Sequence, residues 1–250
     1  MLRGAKHSIV RQGLAMKPIP DAEVQRAYRV RITLFLVGSF IGILLLLTIY
    51  RGLATLNALD QVESERDRWQ RPGDVVQALA LKDGNVVVDL GSGVGYFALK
   101  LSPVVGRNGS VVAVDILEKP LLFLSIRAFL RNQDNIHTIH GQPDNPRLRM
   151  GSADAVLIAN TYHEFTQPRL VLDHVFQSLK PGGRIVILDH APRSAATESR
   201  EIGREHHELS PELVDAEMRG AGFEIVSRQD RFIDRPSDEH VWWLILAQKR

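Results

Sequence analysis

Residues 86–97 read Val86-Val87-Val88-Asp89-Leu90-Gly91-Ser92-Gly93-Val94-Gly95-Tyr96-Phe97. Three valines run into an acid, and three glycines follow at alternate positions. The valine run fits a strand buried on both faces of a parallel sheet. Glycine permits a tight turn and lets a ligand approach the backbone closely. A helix opening near Tyr96 would present free N–H groups to a carboxylate or phosphate. The dinucleotide fingerprint is G-x-G-x-x-G. Here the spacing is G-x-G-x-G, with Tyr96 at the position of the third glycine of that fingerprint.

Working outward, strands and helices alternate. Further strands are expected at 110–115, 136–140, 153–159, 184–189, 223–228 and 240–248. Helices are expected at 72–81, from 96 onward, and at 120–131, 168–179 and 211–220. Lys180-Pro181-Gly182-Gly183 reads as a turn. Ser210 reads as the N-cap of the last helix, with Pro211 in its first position. This alternation implies an α/β fold, a parallel sheet covered by helices on both faces.

Ahead of this pattern lies Ile32–Tyr50, 19 residues without a charge. As a helix it is about 28 Å long, close to the thickness of a hydrocarbon core. It reads as a single transmembrane helix between a basic arm (1–31) and a polar, helical linker (51–71). A buried core helix and a cleaved signal peptide are the competing readings. The length and basic flanks disfavour the first, and Tyr50-Arg51-Gly52 is a poor cleavage site. Residues 1–31 hold seven Lys/Arg against two acids, whereas residues 51–250 are slightly acidic. The basic arm suits an anionic membrane surface. The rest has no basic stripe for nucleic acid. With no cysteine in the chain, disulfides, thiolate metal ligands and thiol nucleophiles are excluded.

VVVDLGSGVGYFALKL resembles the first cofactor motif of class I methyltransferases, the Rossmann-like family that uses S-adenosyl-L-methionine (SAM). The acid at Asp115, the LKPGGRIVILD stretch and the two C-terminal strands extend the resemblance over residues 72–250. It implies a seven-stranded, mostly parallel sheet in the order 3-2-1-4-5-7-6, with SAM as cofactor. It further implies that Asp89 orders the turn and the cofactor's amino group, and that Gly91, Gly93 and Gly95 admit its methionine part. Asp115 would accept both ribose hydroxyls, Ile116 would cover the adenine, and Tyr96 and Asn160 would complete the cofactor shell. Asp144 is the candidate for the adenine amino group, with Asn145 as a rival position.

After the fourth strand, Asn160-Thr161-Tyr162-His163-Glu164-Phe165 resembles a segment of a branch akin to quinone C-methyltransferases. There His163 would be a general base, with Glu164 orienting it or holding a substrate cation. His207 would act from a second loop. Structural hydrogen bonding is the plainer alternative for both histidines, and more so for His206. A metal held by His163, His206, His207 and a glutamate has no H-E-x-x-H or comparable spacing behind it, so no metal is expected.

The expected activity is methyl transfer to a small-molecule acceptor, with a membrane-associated lipid or quinone suggested by the span. The alternatives are a membrane-tethered ligand- or partner-binding domain without catalysis, and an NAD(P)-dependent oxidoreductase. Flanking charges favour an inside N-terminus and an outside domain. Because SAM is made in the cytoplasm, a cytoplasmic domain on a single-pass membrane protein is expected nonetheless.

Overall fold

The computed structural model describes residues 21–192, 200–236 and 238–250. Residues 1–20 of the basic arm lie outside the described residues. The chain divides into two compact units, Met1–Gln61 and Val62–Arg250.

Helix α1 runs from Ala22 to Gln70. The apolar segment and the polar segment after it are therefore one continuous helix. Among the described residues α1 is the one helix long and apolar enough to cross a membrane, with a window of mean hydropathy 2.6 and none of that window buried.

In the second unit, residues 62–70 of α1 are followed by α2 (Pro72–Ala78), β1 (Val86–Leu90), α3 (Ala98–Val105), β2 (Ser110–Asp115), α4 (Glu118–Leu130) and β3 (Ile136–His140). Then come β4 (Ala153–Ala159), a short 3-10 turn (Tyr162–Glu164), α5 (Pro168–Ser178), β5 (Leu179–Pro192), α6 (Arg200–Glu205), α7 (Pro211–Gly220), β6 (Glu224–Ile233) and β7 (His240–Gln248). The strands form one sheet in the order β3-β2-β1-β4-β5-β7-β6. The first five are parallel and β7 is antiparallel to both neighbours.

Side chains alternate across this sheet into two cores. Val87, Val111, Ala155 and Val186 pack with α2 and α3 on one face. Val88, Val156, Ile185 and Ile187 pack with α5 and α7 on the other. Each central strand is thus apolar on both sides, which is why VVVDL and ADAVLIA show no polar alternation. The same alternation turns Asp89 into the first face, where it is buried beside the start of α3.

The expected turn at Lys180–Gly183 lies inside β5. Ala153 pairs with Leu179 and Ala155 with Arg184, so these four residues loop out as a register irregularity. Turn chemistry is satisfied there by a bulge rather than by the end of a strand. Strand β5 also continues to Pro192 because β7 pairs with it through that residue. At α7 the Ser210 side chain accepts the Leu213 N–H, and Pro211 follows it, as the sequence predicts.

Two features seat the glycine turn. Gly91 (φ 79°) and Gly95 (φ 95°) are left-handed, and a Cβ at either would meet Thr161 or Leu124 at under 3 Å. Arg127 of α4 is almost wholly buried and donates to Glu63 through both terminal nitrogens (2.8 and 2.6 Å) and to the Val94 carbonyl (2.7 Å). One guanidinium therefore joins the tail of α1, helix α4 and the turn.

Removing one partner of a buried ion pair strands the other charge. Glu63→Ala is expected to cost about 3–5 kcal/mol in chemical denaturation followed by tryptophan fluorescence. Glu65→Ala, which breaks only the exposed pair with Arg68, should change stability by less than about 1 kcal/mol. Equal effects would show that the Arg127 bridge does not hold the turn.

Candidate active site

The carboxyl ends of β1, β2 and β4 open onto a cavity of about 560 Å³. Its lining includes Gly91, Ser92, Gly93, Asp115, Ile116 and Leu117 from the ends of β1 and β2, and Asn160, Thr161, Glu164, Phe165 and Thr166 from the segment after β4. Ligands in open α/β sheets sit off this edge of the sheet.

Asp115 ends β2 and ties the first of these groups together. One carboxylate oxygen accepts the Gly93 N–H (2.8 Å) and the other the Leu117 N–H (2.9 Å). A carboxylate has further acceptor sites on both oxygens, so Asp115 holds the turn and can still receive two hydroxyls. Gly93 (φ 52°) has nothing within 4 Å of where a Cβ would stand, leaving the backbone bare to a ligand.

Asp89 lies outside the cavity lining, beneath the turn. Its Oδ2 has no hydrogen-bond partner among the described residues. Burial pushes its pKa up to about 7, against the backbone hydrogen bond from Ala98 and the charge of Arg66, with the charge of Asp115 adding to the rise. Arg66, from α1, reaches the cavity wall and lies 4.0 Å over the ring of Tyr96. Burial lowers its pKa while Tyr96, Glu63, Asp89 and Asp67 pull the other way. The Tyr96 hydroxyl is committed to Asp67 at 2.7 Å, so it is the ring of Tyr96 that is left for a ligand.

The part of the lining after β4 begins at Asn160, which directly follows that strand and has φ 56°. Asparagine tolerates this left-handed conformation better than most residues, and it turns the chain into the 3-10 turn. There Glu164 faces the cavity, while His163 is buried and lies outside the lining. His163 is fixed from two sides by Asp189 of β5. Its backbone N–H donates to Oδ2 (3.0 Å) and its Nδ1 lies 2.9 Å from Oδ1. Burial alone would lower the His163 pKa, but the hydrogen bond and charge of Asp189 raise it above its ordinary value. With Nδ1 held by Asp189, Nε2 stands 3.8 Å from Glu164. The His207 ring packs edge-on against His163 at 5.3 Å, and His190 lies 5.6 Å away.

The structure therefore gathers Gly91, Gly93, Tyr96, Asp115, Ile116, Asn160 and Glu164 around one cavity. Gly95 packs away from it, against Leu124. Asp144 is half-buried and outside the lining, where Gln142, Pro143 and Pro146 stand instead. His163 and His207 pack against each other and lie outside the cavity lining.

Arg66 and Asp189 enter the site only in the structure. Arg66 sits in a stretch read as a linker, with no motif around it. Asp189 carried a signal: like Asp89 and Asp115, it is an acid near the carboxyl end of a strand.

The sequence pattern of a family described as "methyltransferase domain" matches residues 81–230. A ubiquinone/menaquinone biosynthesis C-methyltransferase from Wigglesworthia glossinidia brevipalpis is 30% identical over 41% of this chain and 42% of its own length. A demethylmenaquinone methyltransferase from Shouchella clausii is 25% identical over 57% of this chain and 59% of its own. The chain spans about half the length of the curated relatives it matches. A SAM-dependent methyltransferase from Aquifex aeolicus superposes with a TM-score of 0.62 at 20% identity, covering 78% of this chain and 98% of that one.

The Asp89 pKa makes a pH prediction. Its folded-state value, about 7, lies above the 3.8 of an ordinary aspartate. The unfolded chain therefore loses its proton first, and stability falls as pH rises from about 4 to about 7. Asp89→Asn removes this loss. In the ligand-free protein the variant should gain on the parent as pH rises, approaching about 4 kcal/mol above pH 7. Denaturation at pH 5 and pH 8 measures this, and parallel profiles would refute it.

Proposed function

The chain belongs to the methyltransferase-domain family, and we propose that it transfers the methyl group of SAM to a small apolar acceptor of quinone or quinol type. The observation that carries this reading is the single cavity joining the glycine turn and Asp115 to Asn160 and Glu164. It brings a cofactor wall and an acceptor wall within one space.

The residues present fit SAM. Gly93 leaves open backbone, Asp115 offers two oxygens, and Asp89 keeps one buried oxygen unpaired. Gly91 and Gly93 would hold the methionine part, Asp115 the ribose hydroxyls and Ile116 the adenine. Arg66 is the cation placed for the amino-acid carboxylate, and Asp89 is the anion for the ammonium. Asn160 and the Tyr96 ring complete that shell. When bound, SAM supplies an electrophilic methyl group. The chain's work is then to orient the acceptor and exclude water, which supplies much of the rate enhancement in such displacements.

On the acceptor side Glu164 faces the cavity and would take the acceptor's hydroxyl proton or its hydrogen bond. His163 is a positioning residue, clamped by Asp189 with Nε2 toward Glu164, and His207 packs against it. The apolar segment 32–50 would anchor the chain in a membrane, where a quinone resides, with the domain on the cytoplasmic side. The quinone assignment draws on the names of the relatives and on that segment.

Calorimetry on the full chain in nanodiscs tests the cofactor. SAM should bind and NAD(H) should not. Asp115→Ala should weaken SAM by roughly tenfold or more, the equivalent of about 1.5–3 kcal/mol per charge-assisted hydrogen bond. His163→Ala should slow methyl transfer to a demethylated naphthoquinol while leaving SAM affinity unchanged. Failure of the folded chain to bind SAM would leave a ligand-binding domain without catalysis; NAD binding would favour an oxidoreductase.

A further inference from the structure

Glu164 belongs to two assemblies, the cavity wall and a cluster with His163 and His207. Single donor atoms of these three side chains lie within 4.8 Å of one another. We propose that His163 Nε2, the Glu164 carboxylate and a ring nitrogen of His207 bind a divalent first-row transition metal ion.

The donor set is two imidazoles and one carboxylate, which suits zinc in open, three-ligand sites and other first-row metals in related ones. What singles it out is the support behind His163. Metal-binding histidines characteristically give their second ring nitrogen to a carboxylate, which fixes the ring and bares the other lone pair. Asp189 does this for Nδ1 at 2.9 Å. It is wholly buried and also accepts the backbone N–H groups of His163 and His190. Oδ1 takes His163 Nδ1 and the His190 N–H, and Oδ2 takes the His163 N–H with Nδ1 also at 3.1 Å, so each oxygen already has two partners and Asp189 is the orienting group rather than a ligand. This decides against the alternative grouping of His163, Asp189 and His190.

The geometry can close. Donors on one zinc ion stand roughly 3.4 Å apart, given bonds of about 2.1 Å. Glu164 is already 3.8 Å from His163. Glu164 and His207 are exposed, and no hydrogen bond among the described residues holds either side chain. Small rotamer changes bring them onto the fixed His163. His207 has φ 58°, a left-handed conformation that a residue with a β-carbon adopts at a cost and that recurs at functional sites. His190 stands by as a further nitrogen. Its Nδ1 is buried without a hydrogen-bond partner among the described residues.

The ligands come from positions 163, 164 and 207, so no local spacing advertises them, and the sequence led to the opposite expectation. If the methyl-transfer reading holds, an ion sharing Glu164 with the cavity wall would coordinate an acceptor oxygen and favour its ionised form. Ion binding itself does not rest on that reading.

The test uses the full chain in nanodiscs with a histidine-free tag, stripped with chelator and titrated with Co²⁺ alone, then with Zn²⁺. One Co²⁺ per chain is expected, with a visible ligand-field band that Zn²⁺ abolishes. His207→Ala and Glu164→Gln, both exposed, should lose the band while keeping the parent's tryptophan fluorescence. His206→Ala and His137→Ala should keep it. Asp189→Asn should weaken affinity by about 10- to 100-fold. No band in the folded parent, or a band indifferent to both His207→Ala and Glu164→Gln, overturns the proposal. SAM and acceptor are absent throughout, so failure here leaves the methyl-transfer reading to its own test.

Discussion

The close approach of the glycine turn to its surroundings governs everything placed around it. Gly91 lets the end of β1 lie against Thr161, and Gly95 lets the same turn lie under Leu124 of α4. A side chain at either position would push the turn off its neighbours. Because α4 also carries Arg127, the contact that seats the turn is coupled to the one that captures Glu63. The tail of α1 thereby enters the domain and brings Arg66 to the cavity. A turn that looks local in the sequence is held by groups from residues 63, 124, 127 and 161.

Three acids near the carboxyl ends of strands show how environment sets role. Asp115 is tied by two backbone N–H groups and shapes the turn. Asp189 is spent on a histidine and its backbone. Asp89 is buried with one oxygen unpaired and a pKa near 7. A buried polar group left unsatisfied costs stability, and strongly shifted titrating groups of this kind cluster at functional sites.

The cluster around Glu164 is built differently. Its exposed members, Glu164 and His207, have no side-chain hydrogen bond among the described residues, whereas His163 is held by Asp189. A fixed group with two adjustable neighbours suits a site that must close around an ion or a substrate without paying twice for order.

The strands, the glycine turn, the N-cap at Ser210 and the apolar segment are legible in the sequence, because each is written in contiguous residues whose local physics is decisive. Val-rich runs buried on both faces, left-handed glycines and nineteen uncharged residues need no distant partner to be read. The resemblance to class I methyltransferases also singled out Gly91, Gly93, Asp115 and Asn160, which line one cavity. Only the tertiary structure decided the rest. It made the apolar segment and the polar stretch one helix, turned Lys180–Gly183 into a bulge within β5, and set Glu164 rather than His163 in the cavity wall. It also chose Asp189 as the partner of His163 and His207 as the ring against it. Those outcomes depend on which side chains meet across the sheet after the chain has crossed it several times, and sequence spacing carries no record of that meeting.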